Sequence, residues 1–258
     1  MLELYHSGLT SCSVKARLCL REKGLDYITR YIRLREFEHH TPEYLAINPN
    51  GLVPTLVHDG VAIYETNVIA EYVEETFPDI PLAPKDPYSR AKMRLWSKFS
   101  DEIALAAFRK PLWSTRFTEF IRSLGPAELE RVLANVPLQE RRSEWAKLAS
   151  EGFEKEELDA CMETMEFITK RMETSLSEHP WLAGDTYSLA DINMFPWLVR
   201  MKEFAPHTMD KEVAPHLYEW FHRVLERPAV KEVLNPSDET PEHDRQGLLY
   251  NDLVEKAA

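Results

Sequence analysis

The chain has 258 residues, a length that allows one large domain or two smaller ones. Of these residues, 44% are apolar and 29% are charged. Its net charge of −12 disfavours nucleic acid and anionic membranes as partners, because binding to either depends on neutralising negative charge. No apolar run approaches the ~20 residues that span a bilayer, and the N-terminus lacks the basic start of a signal peptide.

The first 80 or so residues predict the order β-α-β-α-β-β-α, which suits a small mixed sheet with helices on both faces. Helix caps, strand propensity and the hairpin signal Asp59-Gly60 define these elements. In chain order we predict a strand at 2–5, a helix from Ser11 or Ser13 to Lys23, a strand at 27–32, a helix at 42–47, strands at 53–58 and 61–64, and a helix at 67–77.

The second part of the chain predicts helices only. Two prolines make 83–87 a stiff linker, so we expect one domain at 1–82 and an all-helical domain at 88–258. Prolines and glycines should break 110–153 into short pieces, and the last twenty or so residues form a polar, acidic tail. The predicted helices are 89–109, 153–177, 188–202, 215–225 and 229–234, and the predicted breaks are Pro111, Gly125-Pro126, Pro137 and Gly152.

Cysteine usage bears on the compartment and on metal binding. The three cysteines are odd in number and widely spaced, which fits a reducing cytoplasm better than a disulfide framework. Neither they nor the nine histidines have the spacing of metal ligands, so we expect no metal site.

The most informative motif is Gly51-Leu52-Val53-Pro54-Thr55-Leu56, in which a proline directly precedes an apolar strand. If the Val53–Pro54 bond is cis, Val53 presents a free N–H and C=O that can bind an extended peptide as an extra strand. Glu65 and Thr66 follow the predicted hairpin and could hold the ammonium and carboxylate ends of such a peptide. The motif therefore predicts a peptide-binding site.

A second motif lies in the helical part. Ser188-Leu189-Ala190-Asp191 has the spacing of a capping box and opens an apolar helix. Together with Val53-Pro54 and Glu65-Thr66, the segment 181–192 resembles the cytosolic glutathione transferases, and this resemblance covers the whole chain. It implies a thioredoxin-like βαβαββα domain followed by an α-helical bundle domain, with glutathione as co-substrate, no metal or redox cofactor, and a homodimer.

The middle of the chain resembles one branch of that family, the bacterial β-aryl etherases of lignin-fragment breakdown. The residues that carry this likeness include Asn135-Val136-Pro137, Glu140, Trp145 and Gly152-Phe153. The resemblance implies that a glutathione thiolate attacks the carbon that bears an aryloxy group beside a ketone. Phenolate then leaves and a glutathione thioether forms.

Thiol activation should occur at the start of the first helix, where free N–H groups and the helix dipole favour a thiolate. Ser13, Ser11 and Cys12 are the candidate catalytic residues, and the alignment register among them stays open. Either serine could instead be a helix cap. Cys12 could form a mixed disulfide with glutathione, or it could be a small packed residue.

The resemblance assigns the rest of glutathione to four positions. Val53, turned outward by Pro54, should pair with the cysteinyl backbone, while Glu65 and Thr66 should hold the γ-glutamyl group. His40, with His39 beside it, could meet the glycyl carboxylate or be a solvated surface histidine.

The second substrate should lie between the domains against aromatic side chains, although an aromatic cluster is more often core. Asp101 could reach the ligand of a partner subunit, or it could lie on a solvated helix face. The residues near the expected cleft are Phe108, Trp113, Phe117, Phe120, Trp197 and Met201.

Three other functions remain open from the sequence. The first is a transferase acting on halides, epoxides or other electrophiles. The second is a glutathione lyase or thiol oxidoreductase based on Cys12. The third is a non-catalytic protein that keeps the fold and binds glutathione or a partner chain as a scaffold.

Overall fold

The computed structural model describes residues 1–8, 10–235 and 253. A four-stranded mixed sheet has the order β2-β1-β3-β4, with β1 parallel to β2 and antiparallel to β3, and with β3 antiparallel to β4. The strands are β1 (Leu2–His6), β2 (Ile28–Tyr31), β3 (Thr55–His58) and β4 (Val61–Tyr64). This confirms the predicted mixed sheet and its hairpin.

Helices lie between β1 and β2 and between β2 and β3, and helices follow β4. They are α1 (Ser11–Glu22), α2 (Pro42–Leu45), α3 (Thr66–Thr76), α4 (Pro87–Phe99), α5 (Leu105–Arg116), α6 (Thr118–Ser123), α7 (Pro126–Asn135), α8 (Gln139–Ser150), α9 (Lys155–Glu178), α10 (Leu189–Phe204), α11 (Pro215–Leu225) and α12 (Pro228–Leu234). Short 3-10 turns occupy Leu34–Glu36, Glu38–His40 and Pro206–Met209. The βαβαββα order and the helical second part are confirmed.

The prediction that Pro111 breaks the chain was wrong. A π-helical turn at Ser100–Ala104 joins α4 to α5, and α5 continues through Pro111 to Arg116. A proline inside a helix loses one backbone hydrogen bond. Here Pro111 and Phe108 are both buried, so packing against the core outweighs that local cost.

The sheet and the helical part share one continuous core. Leu4 of β1 faces Leu56 of β3, and both side chains are fully buried. Helix α1 packs on α3 and also on α10 and α12. At this contact Arg227 makes a two-point ion pair with Glu22, with both distances at 2.6 Å. The position of α1, and of everything at its N-terminus, is therefore fixed by both parts of the molecule.

The predicted capping box is present at the start of α10. The Asp191 carboxylate is fully buried, and each of its two oxygens accepts two hydrogen bonds. Oδ1 accepts from the Leu182 N–H and the Trp220 indole N–H, and Oδ2 accepts from the N–H and hydroxyl of Ser188. One side chain thus connects α10, α11 and the turn before them, which makes it a structural residue of the helical part.

No helix in the described ranges is both long and apolar enough to cross a membrane. The predicted acidic tail lies outside the described residues, apart from Leu253, which is buried.

We predict that Asp191→Asn lowers the free energy of unfolding by about 1 to 3 kcal/mol, because an amide NH₂ would replace an oxygen that now accepts two hydrogen bonds. Urea unfolding followed by circular dichroism measures this difference. Asp185→Asn, at a carboxylate that is 88% exposed, is the matched control and should change stability little. An equal loss in both variants would contradict the structural role of Asp191.

Wild type and Asp191→Asn should also differ in how their stability depends on pH. Burial raises the pKa of Asp191 from 3.8 to about 6, although the hydrogen bonds from Leu182, Trp220 and Ser188 oppose this. The folded state therefore holds a proton that the unfolded state has lost between about pH 4 and about pH 6. As the pH falls through this window, wild type should gain stability relative to Asp191→Asn. A stability gap that narrows instead would contradict the raised pKa.

Candidate active site

A cavity of about 260 Å³ lies between the loops of the sheet and helices α5, α6, α8 and α10. Its wall is mainly apolar, with hydroxyls at one end and arginines among the aromatic rings. The lining residues are Ser7, Thr10, Ser11, Cys12, Leu34, Arg35, His39, Leu52, Val53, Leu105, Arg109, Leu112, Trp113, Arg116, Phe117, Phe120, Ile121, Arg141, Trp145, Leu148, Trp197 and Arg200. Apolar walls with a few polar groups are typical of small-molecule sites.

The first turn of α1 forms the hydroxyl end of the cavity. Ser11 lies in this wall, and its buried Oγ has no hydrogen-bond partner among the described residues. Ser13, by contrast, is fully buried behind the wall, where its Oγ accepts from the Ser7 N–H at 3.1 Å and the Thr10 hydroxyl at 2.7 Å. Of the two serines predicted from the sequence, Ser11 faces the cavity and Ser13 holds the preceding loop.

Cys12 also lies in the cavity wall, beside Ser11. Burial raises the pKa of its thiol, and the charge of Asp101 acts in the same direction. The charges of Lys15 and Arg141 and a hydrogen bond with Thr66 lower that pKa, but they do not overcome the burial. A thiol with a raised pKa is a weak nucleophile near neutral pH because the thiolate is the reactive form.

A buried lysine lies one turn further along α1. Lys15 is 1% exposed, and its ammonium donates to the Ser100 hydroxyl at 2.6 Å and to Asp101 at 3.1 Å. The other Asp101 oxygen accepts from Asn67 of α3 at 2.6 Å. The Trp197 indole N–H also donates to the Ser100 hydroxyl, at 2.8 Å. Asp101 is thus engaged within its own chain, and this network joins α1 and α3 to the helical part.

The Val53 segment forms another part of the wall. The Val53–Pro54 peptide bond is cis, as predicted, and β3 begins only at Thr55. The Leu52 carbonyl next to it accepts from the Tyr44 hydroxyl at 2.6 Å and from the Asn48 amide at 2.9 Å. Val53 itself makes no backbone hydrogen bond to another described residue. Its N–H and C=O are thus available to a ligand backbone.

Glu65 and Thr66 do not line the cavity. Glu65 precedes α3 with a left-handed φ of 67°, and its carboxylate accepts from Asn50 at 3.1 Å. Thr66 is the first residue of α3 and is buried, and its side chain contacts the Cys12 thiol. The structure therefore places the start of α3 next to the start of α1.

Two histidines with closely packed, tilted rings lie on the sheet side of the site. The rings of His39 and His40 are 3.8 Å apart, both are buried, and the Nδ1 of each has no partner among the described residues. Burial lowers the pKa of His39 to about 3 and that of His40 to about 4, so both rings are neutral near neutral pH. His39 lines the cavity and His40 does not. Gly51 packs on them, since a Cβ there would lie 2.9 Å from the His40 ring.

The aromatic residues expected from the sequence divide into wall and core. Trp113, Phe117, Phe120 and Trp197 line the cavity. Phe108 is fully buried and stacks on Trp197 with ring centroids 5.7 Å apart. Phe108 therefore supports the wall from behind, whereas Met201 is fully buried and does not line the cavity. Trp145 of α8 is an additional wall residue.

The sequence reasoning missed the arginines of the wall. Arg109, Trp113 and Arg116 recur at helical spacing on α5, but the expected break at Pro111 concealed that pattern. Arg35, Arg141 and Arg200 come from separate elements of the chain, so no local pattern connects them. The cavity thus combines unpaired hydroxyl and N–H groups, an open backbone segment, aromatic rings and cations.

Two family models match the chain. One, described as Glutathione S-transferase, N-terminal domain, covers residues 10–76, and one for the C-terminal domain of the same family covers residues 112–228. In the described residues, no cluster of His, Cys, Asp and Glu has a geometry that could hold a metal ion.

Known proteins agree with these matches over most of their length. Protein LigF of Sphingobium sp. is 35% identical over 92% of this chain and 94% of its own. The crystal structure of LigF, described as a beta-etherase, matches this chain with a TM-score of 0.85 and 34% identity, over 90% of this chain and 98% of the LigF chain. Glutathione S-transferase U22 of Arabidopsis thaliana is 28% identical over 87% of this chain and 86% of its own. The chain therefore belongs to the glutathione S-transferase family, and glutathione is its co-substrate.

Proposed function

We propose that this glutathione transferase cleaves β-aryl ethers of lignin-derived aryl ketones. The observation that carries the proposal is a single cavity bounded by the first turn of α1, the open Val53 backbone and an aromatic wall. The similarity to a beta-etherase over nearly the whole chain supports the same reaction class.

Each part of glutathione has a place in this proposal. The cysteinyl backbone pairs with Val53, which Pro54 holds at the cavity, and the γ-glutamyl group binds at Glu65 and Thr66. The glycyl carboxylate lies near His39 and His40, whose Nδ1 atoms have no protein partner in the described part of the chain. Because both imidazoles are neutral, they would contribute a hydrogen bond and no charge.

The sulfur lies at the first turn of α1. There the free N–H groups and the helix dipole stabilise negative charge, and the Ser11 hydroxyl donates a hydrogen bond to the thiolate. Ser11 is preferred over Ser13 because Ser11 lines the cavity, whereas Ser13 is fully buried behind the wall. Cys12 packs beside the sulfur as a protonated thiol, in keeping with its raised pKa.

The reaction follows from this arrangement. Glutathione loses its thiol proton to solvent, and the thiolate attacks the carbon beside the ketone, which activates that carbon for displacement. A carbon–sulfur bond forms as the carbon–oxygen bond breaks, and the electron pair leaves with the aryloxide. The products are a glutathione thioether and a phenol, which takes up a proton from water. The chain's own contribution is to bind, orient and stabilise charge.

The organisation of the protein in the cell is also part of the proposal. We place the domain boundary at the linker 83–87, with domains at 1–82 and 88–258. We also propose that the protein is a homodimer in the cytoplasm. Dimerisation is supported by apolar side chains on the surface of the helical part, such as Leu95 and Phe167, which are 60% and 51% exposed. The free cysteines Cys12, Cys19 and Cys161 fit a reducing compartment.

We predict that Ser11→Ala lowers kcat/KM by about ten- to a hundredfold, because it removes a hydrogen bond to a charged sulfur, worth about 1.5 to 3 kcal/mol. Steady-state kinetics with limiting glutathione measures the loss. Ser13→Ala is the matched control. It should lower thermal stability more than Ser11→Ala does, and it should lower kcat/KM less than Ser11→Ala does. The reverse result, with Ser13→Ala inactive and Ser11→Ala active, would contradict the assigned roles.

The substrate class is tested directly with the pure enzyme, glutathione and each enantiomer of a β-aryloxy ketone. We predict release of phenol together with the glutathione thioether in equal amounts, which chromatography measures. If neither enantiomer reacts while a chloro-arene is turned over, the enzyme is a transferase for other electrophiles. Binding of glutathione without any turnover would indicate a scaffold. A Cys12→Ser variant that still forms the thioether excludes thiol exchange as its route.

A further inference from the structure

The cations of the cavity wall are not alike in their pairing. Arg109 makes an ion pair with Glu144 at 2.8 Å, and Arg116 and Arg200 both pair with Glu203, at 2.8 and 2.7 Å. Arg116 and Arg200 share the one carboxylate of Glu203, while Arg109 also pairs with Glu140 at 2.7 Å, so these three guanidinium groups face three carboxylates in all. They brace the wall and contribute little net charge to a ligand.

Arg141 differs from the other arginines of the wall. No carboxylate of a described residue lies within ion-pair distance of its guanidinium, and it makes no hydrogen bond within the described part of the chain. Among the described residues, its guanidinium lies over the Trp113 ring, whose centroid is 5.2 Å away. Arg35 also lacks a carboxylate partner there, but it already donates to the Arg116 carbonyl at 3.4 Å.

The position of Arg141 on α8 directs it to the cavity. Arg141, Trp145 and Leu148 follow the i, i+4, i+7 spacing of one helix face, and all three line the cavity. The neighbouring Arg142 lies on the exposed side and donates to the Val136 carbonyl at 2.7 Å. The two adjacent arginines of the sequence therefore have opposite surroundings.

The charges around Arg141 make its lack of a partner significant. Burial and then the repulsion of Arg109 lower the pKa of its guanidinium, while Glu144, Cys12 and Glu140 act in the opposite direction. An arginine remains charged despite such a shift. A partly buried cation without a partner is costly, and it occurs here in a chain with 43 acidic and 31 basic residues. Shortage of carboxylates does not explain it.

We propose that Arg141 forms an anion subsite that holds a negatively charged oxygen of an aromatic ligand. The ligand's ring lies against the aromatic wall, and its oxygen meets the guanidinium above Trp113. This inference rests on the proposed function, since it concerns the electrophile half of the same cavity. The oxygen belongs either to the phenolate that leaves or to a carboxylate that the substrate carries.

The location of Arg141 separates this subsite from the glutathione site. Val53, Glu65 and Thr66 lie on the sheet side, whereas Arg141 belongs to the helical part. Arg141 nevertheless lines the same cavity as Ser11 and Cys12, where the proposed function places the reacting sulfur. When the carbon–oxygen bond breaks, the electron pair passes to the aryl oxygen, and the guanidinium stabilises that phenolate until it leaves.

The test measures equilibrium binding in the presence of saturating S-methylglutathione, which fills the tripeptide site and cannot react. Wild type, Arg141→Gln, Arg141→Lys and the control Arg142→Gln are titrated with 4-nitrophenol, whose visible absorbance reports its ionised fraction. A second arm compares benzoate with neutral benzamide by quenching of tryptophan fluorescence. Thermal unfolding checks that every variant is folded.

We expect wild type to bind nitrophenolate in preference to neutral nitrophenol, and Arg141→Gln to weaken phenolate binding about tenfold, or about 1.4 kcal/mol. Arg142→Gln should match wild type, and Arg141→Lys should keep most of the preference because it keeps the charge. A loss for nitrophenolate alone identifies the leaving phenolate as the ligand. A loss for benzoate alone identifies a substrate carboxylate.

Equal affinity of wild type and Arg141→Gln for both anions would overturn the subsite. So would a loss of S-methylglutathione affinity in Arg141→Gln without any change in anion preference, because Arg141 would then bind the tripeptide. These measurements need no turnover, so they are independent of the etherase reaction. A retained anion preference without phenol release would contradict the proposed reaction and leave the subsite standing.

Discussion

The first turn of α1 is the physical feature on which the rest of the site depends. A glutathione thiol reacts only as its thiolate, and a helix N-terminus supplies both N–H donors and a favourable potential. The two serines of this turn have different roles. Ser13 faces inward and holds the loop through Ser7 and Thr10, while Ser11 faces the cavity with its hydroxyl unpartnered in the described part of the chain.

The cavity exists because two parts of the molecule are held in register around that turn. Lys15, Ser100 and Asp101 join α1 to the helical part, and Asn67 joins α3 to the same group. The sheet side contributes an open backbone and hydroxyls, and the helical side contributes rings and guanidinium groups. In the proposed function, the sheet side binds the nucleophile and the helical side binds the electrophile, and the two surfaces meet at the N-terminus of α1.

Local signals in the sequence predicted the fold and some of the residues that line the cavity, such as Ser11 and Val53. Turn residues, caps and proline positions are short-range features, and they identified the β3–β4 hairpin, the capping box at Ser188 and the cis bond before Pro54. The helical side could not be predicted in the same way. Whether Arg141 faces the cavity depends on how α8 packs against α5 and α6, and the tertiary packing that carries α5 through Pro111 overrides a local rule.

The most direct test of the central claim is the ionisation of bound glutathione. Ultraviolet difference spectra of the enzyme–glutathione complex, recorded against pH, report the thiolate of the bound tripeptide. A thiol held at the N-terminus of α1 should have an apparent pKa of about 7 or lower, compared with about 8.5 for an unperturbed thiol. An apparent pKa equal to that of free glutathione would contradict the claim that this helix start activates the sulfur.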